Sequence, residues 1–158
     1  MPTLSRWCVR AALAHLVLGM GIGTWMLLAQ ARTGFPPGPP WGVLHAHVLL
    51  VGFLLMLIIG VAFWMFPRVK GGRPGRIPGW IAFWCINVGL LLRVVAEAPA
   101  RDGGAGWRAA LGVAAVLPLV GVGAFAAGIL PRVRAAMSPD EARRLRAESD
   151  ARRGSGAP

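Results

Sequence analysis

The chain holds three histidines, His15, His45 and His47, and two of them open the stretch "HAHVLLVGFLLMLIIGVAFWMFPR" (residues 45–68). A neutral imidazole binds haem iron or copper through a ring nitrogen, so a His-x-His pair at the mouth of an apolar run points to cofactor or metal binding. The competing use is local: an imidazole near a membrane surface reaches water or a backbone carbonyl. Met26 adds a thioether, a soft ligand whose commoner use is packing. Arg93 and Glu97 stand one turn apart, which suits an i,i+4 ion pair; Arg93 could instead neutralise a carboxylate of a cofactor held near His45. Cys8 and Cys85 read as small apolar residues, too far apart in depth for a disulfide.

The elements that must position these residues are apolar runs. The 158 residues are 56% hydrophobic and 15% charged, and four runs fall at about 11–29, 41–66, 80–96 and 109–130. Uncharged stretches of about 18 residues or more span a bilayer core. The fold class predicted is an all-α, integral membrane four-helix bundle over residues 1–131, followed by a basic cytoplasmic tail over 132–158. In that tail "SPDEARRLRAESDARR" predicts a short solvated helix, with Ser138 as N-cap, Pro139 at the first position and Glu141 closing a capping box. Arg6, Arg10 and the "AQA" at 29–31 resemble a secretory signal. The first apolar run exceeds the usual 7–15 residues of such signals, so it is read as a retained helix, with a cleaved signal as the lesser alternative.

Thirteen of the 17 Lys and Arg residues fall at the N-terminus, in the loop after the second run, or in the tail; Arg32, Arg93, Arg101 and Arg108 fall on the other side. This asymmetry predicts cytoplasmic termini and a multi-pass protein of the cell inner membrane. The net charge of +11 then reflects topology and attraction to anionic headgroups, not nucleic-acid binding.

At 100° per residue, His45 and His47 point to nearly opposite sides of a helix. The His45 side continues through Leu49, Gly52, Met56, Gly60 and Phe63, and its glycines mark close approach of a helix or a flat ligand. The His47 side, with Val51, Leu54, Ile58, Val61 and Met65, looks lipid-facing. If the chain were still extended at residue 45, both imidazoles could converge on copper. His15 sits near the inner surface and His45 near the outer, so the two are expected not to be opposite axial ligands of one haem. Met26, His47 or a second protomer would supply that ligand. Asn87, mid-run, is expected to hydrogen bond to another helix.

At these residues the chain resembles the second helix of the catalytic subunit of haem–copper oxidases and nitric oxide reductases, and more closely the small membrane proteins related to that subunit. They share a His-x-His start, a glycine-containing apolar helix and a Pro-Arg exit. The stretch "FWCINVGLLL" in the third run is also similar to the small relatives. The resemblance covers roughly the first three runs and implies that His45 is an axial ligand of a low-spin haem. The family's copper centre and second haem draw their ligands from later helices, so three histidines on four runs cannot build a complete oxygen- or nitric-oxide-reducing centre. The small relatives also carry a histidine near the end of the second helix, where Trp64 stands here.

Three readings follow. One is a b-type haem protein in electron transfer or small-gas sensing, using His45 with Met26, His47 and Arg93 as candidate partners. Another is an accessory or assembly protein without a cofactor, in which Gly19, Gly21 and Gly23 serve helix contact. The third is a copper site of His45 and His47, with Met26. Partners expected are the bilayer and either a second copy or a respiratory-chain membrane protein. The chain lacks a nucleophile–base pair and paired carboxylates, which disfavours hydrolytic catalysis by the chain alone.

Overall fold

A computed structural model describes residues 2–66, 76–97, 99–136 and positions 143, 144 and 147, and its regular structure is helical, with no strand among the described residues. Helix α1 spans Thr3–Thr33. It extends past the expected run at both ends, because Arg6 and Arg10 lie exposed on its flank and nothing breaks it before Gly34. Arg10 folds back to 5.8 Å from the Trp7 ring, keeping its charge at the helix surface. Gly34 adopts a left-handed φ of 78°, and its N–H closes on the Gln30 carbonyl at 2.8 Å, a C-terminal cap that suits a residue without Cβ.

Helix α2 spans Trp41–Met65. It ends where Phe66 turns extended before Pro67, since a residue preceding proline is pushed out of the helical region. Its stretch Val48–Leu55 is π-helical, a wider turn that a 100° wheel does not anticipate. The face assignments survive it: Gly52, Met56, Gly60 and Phe63 are buried, while Leu54, Ile58 and Met65 are exposed.

Helix α3 (Arg76–Ala96) starts ahead of the expected run, with Pro78 tolerated in its first turn. A short helix α4 (Pro99–Asp102) leads into α5 (Ala105–Ala136). α5 runs on past residue 131, and Arg132 is buried. Residues 67–75 of the basic second loop and the capping box at Ser138 lie outside the described residues.

α3 and α5 form a tight hairpin. A Cβ on Gly89 would come within 2.7 Å of the Pro118 ring, and one on Gly121 within 2.8 Å of Ile86. Pro118 removes a backbone hydrogen bond from α5, and the bare backbone of Gly89 lets its ring fit flush. Toward the end of the bundle where α1 begins, Leu4, Cys8, Ala12, Met56, Ile59, Phe63, Phe83 and Ile86 make the main core; Leu44, Val48 and Leu90 make a smaller one toward the end where α2 begins. Phe63 ties α2 to α3 and α5. Its ring abuts the Gly79 notch that Leu4 also fills, meets Phe125 edge-on at 5.7 Å and lies under the Arg132 guanidinium at 4.8 Å.

The outward faces are apolar. Val17 is 74% exposed and Leu119 is 72% exposed. Each such side chain facing water forgoes roughly 1.5–3 kcal/mol of burial, so the surface suits lipid. Trp7, Trp64 and Trp80 mark one end of the bundle and Trp25, Trp41 and Trp107 the other. The rise from Trp7 to Trp25 is about 27 Å, close to a bilayer core flanked by aromatic belts. The four long helices are thus long and apolar enough to cross a membrane.

Candidate functional site

The α1–α2 seam gathers the chemistry. Gly19 and Gly23, one turn apart on α1, leave a groove into which α2 settles. Leu49 and Val48 fill the Gly19 notch, and His45 fills the Gly23 notch, where a Cβ would come within 2.8 Å of its Cε1. The ring Nδ1 lies 2.9 Å from the Gly19 carbonyl oxygen. A carbonyl only accepts, so Nδ1 carries a proton, and in the neutral imidazole Nε2 then holds the lone pair. An outer partner of this kind is what fixes the ring of a metal-binding histidine, and it serves a plain interhelical hydrogen bond equally well.

The other two histidines bond within their own helices. His15 Nδ1 donates to the Ala11 carbonyl at 2.8 Å and His47 Nδ1 to the Val43 carbonyl at 2.9 Å. The His15 ring fills the Gly52 notch from α1 while Leu90 enters it from α3. Since His45 rests on Gly23, eight residues from His15 along α1, the two rings differ by about 12 Å in height. Trp41–His47 is already helical, so the extended start needed for a converging His45–His47 copper pair is absent and the two imidazoles diverge. No group of three or more His, Cys, Asp or Glu gathers among the described residues.

Met26 reaches α2 at Gly42, its methyl 4.0 Å from where a Cβ would stand. The Trp25 and Trp41 rings, next to Met26 and Gly42 in sequence, pack with centroids 4.6 Å apart at the end of the seam nearest the first loop. Arg93 pairs with Glu97 at 3.0 Å, which commits the charge that a cofactor carboxylate would need. Asn87 donates to Phe83 of its own helix at 2.7 Å, not to a neighbouring helix as the sequence suggested.

These contacts test the fit of a porphyrin. The glycines expected to admit a flat ligand are filled by protein: Gly52 by His15 and Leu90, Gly60 by Cys8 and the Ser5 carbonyl. With α1 and α2 in van der Waals contact through Gly19, Gly23, Gly52 and Gly60, haem does not fit between them. The sequence reading singled out His45 and the glycines of both helices but missed which imidazole meets which glycine. The Gly19-x-x-x-Gly23 spacing was the available signal. The Phe63–Arg132 contact was missed because Arg132 was counted only toward topology.

Comparison with protein-family models, with curated proteins and with solved structures finds no match to this chain.

Proposed function

We propose that this chain is an accessory or assembly protein of the cell inner membrane, built on a scaffold like that of oxidase subunit I, with both termini cytoplasmic. Its work is to associate with other membrane helices, either a second copy or a respiratory-chain protein, and not to hold a porphyrin in its α1–α2 seam. The observation that carries this reading is the occupancy of the seam glycines: each receives a side chain from a facing helix, the two imidazoles of His15 and His45 included. The lipid-facing surfaces of α1 and α5 leave room for partner helices.

The competing reading is a b-type haem protein in electron transfer or gas sensing. The Nδ1–H of His45 on a carbonyl favours it, because that bond leaves Nε2 as a ligand nitrogen. It requires α1 and α2 to part, or the haem to lie outside the seam. An absorption spectrum of detergent-purified protein, made with ample haem supply, separates the two. The scaffold reading expects no stoichiometric Soret band, and one haem per chain overturns it.

A further inference from the structure

We infer that the outer mouth of the α1–α2 seam is a binding site for one soft monovalent cation, Cu(I), held by Nε2 of His45 and the thioether sulfur of Met26. The two residues form a reciprocal pair. Gly23 and Met26 lie three apart on α1, Gly42 and His45 three apart on α2, and the helices run antiparallel. His45 rests on Gly23 and Met26 reaches Gly42, so the imidazole and the thioether share one four-residue patch, roughly 4.5 Å apart in height.

The hydrogen bond of the ring leaves Nε2 as the ligand nitrogen. Nδ1 and Nε2 both stand 3.4 Å from a Cβ built on Gly23, with Cε1 nearer at 2.8 Å, so the ring meets α1 edge-on. Nδ1 is turned inward, to the carbonyl of Gly19. Nε2 is the ring nitrogen that this bond leaves for a ligand, on a ring set one turn of α1 from Met26. The neutral ring offers a lone pair there, and the Gly19 carbonyl is the outer partner that holds the ligand in register.

The donor set selects the ion. A thioether with an imidazole is a soft pair suited to Cu(I), whereas zinc takes about four ligands and calcium takes oxygen. Among the described residues no carboxylate, thiol or further imidazole joins His45 in a cluster. His47 is turned away onto Val43, and Arg93 is paired with Glu97. The tilted Trp25–Trp41 pair, next to Met26 and Gly42 in sequence, adds aromatic faces of the kind that attract a cation. Axial haem ligands, by contrast, lie on opposite faces of a porphyrin, and His45 and Met26 project from helices already in contact.

This inference goes beyond the scaffold reading and does not depend on it: a Soret band sinks that reading, whereas copper stoichiometry decides this one. The test is anaerobic titration of the detergent-purified full chain with Cu(I), against a chromophoric Cu(I) chelator. The expected result is one Cu(I) per chain, with sulfur and nitrogen scatterers in the copper X-ray absorption spectrum. Met26→Leu, which keeps the packing, is expected to weaken binding about tenfold or more and remove the sulfur signal; His45→Gln should weaken it similarly. Met20→Leu and His47→Ala should leave it unchanged. Wild-type protein that takes up no stoichiometric Cu(I), or a Met26→Leu protein that binds like wild type, overturns the site.

Discussion

His45 donates its Nδ1–H to the carbonyl of Gly19 across the α1–α2 seam at 2.9 Å, and its ring lies in the space that Gly23 leaves open. The one hydrogen bond and the one missing side chain depend on each other. With a Cβ at residue 23 the ring could not approach, and without the carbonyl it would be a polar group facing hydrocarbon. Interhelical hydrogen bonds in membranes are worth only about 0.6 kcal/mol on average, so the packing that accompanies this bond matters at least as much.

The seam therefore should be sensitive to added volume at one glycine and indifferent at another. Gly23→Val puts side-chain atoms into the His45 ring and is expected to destabilise the bundle by about 1–3 kcal/mol. Gly21, which has nothing within 4 Å of its Cβ position, serves as the control. Gly21→Ala should be neutral, or stabilising by up to roughly 1 kcal/mol through helix propensity. Reversible unfolding in mixed micelles measures both, and equal losses would show that the seam is not where the helices meet.

His45 and His47 share chemistry and depth but not direction. His45→Ala removes an interhelical hydrogen bond and leaves a gap over Gly23, for a loss of about 1–3 kcal/mol. His47→Ala removes only a bond to its own helix and is expected within about 0.5 kcal/mol of wild type. The same unfolding assay ranks them; a larger effect at His47 would contradict the assigned faces.

Much of this was legible from residue pattern. Four apolar runs gave four long helices, and the alternation of Gly52, Met56, Gly60 and Phe63 against Leu54, Ile58 and Met65 gave the buried face of α2, because burial in a helix follows a near-constant angle. Pairing was not legible. That His15 lands on Gly52 while His45 lands on Gly23 depends on how far α1 and α2 slide past one another. The π-helical turn at Val48–Leu55, which lies between His45 and Gly52 on α2, does not announce itself in hydropathy either. Asn87 misled for a related reason: a mid-membrane amide can satisfy one N–H on its own preceding turn, here at Phe83.

Phe63 packs against two neighbouring helices at once. Its ring meets Gly79, Phe125 and Arg132 on two other helices. Phe63→Ala is expected to cost about 3–5 kcal/mol, against less than 1.5 kcal/mol for Phe63→Leu if the site repacks, with thermal unfolding in detergent as the measurement.

The charge asymmetry predicts that Gly38→Cys is labelled by an impermeant thiol reagent from outside intact cells and Ser155→Cys is not. The reverse pattern would invert the protein and put His45 and Met26 at the cytoplasmic end.

The central claim is that α1 and α2 close on each other through their glycines and leave no slot for a porphyrin. Haem content per folded chain, read from the absorption spectrum of protein purified from haem-replete membranes, tests it most directly. The account predicts no stoichiometric haem and a wild-type spectrum indistinguishable from that of His45→Ala; one low-spin haem per chain, lost in His45→Ala while the protein stays folded, would contradict it.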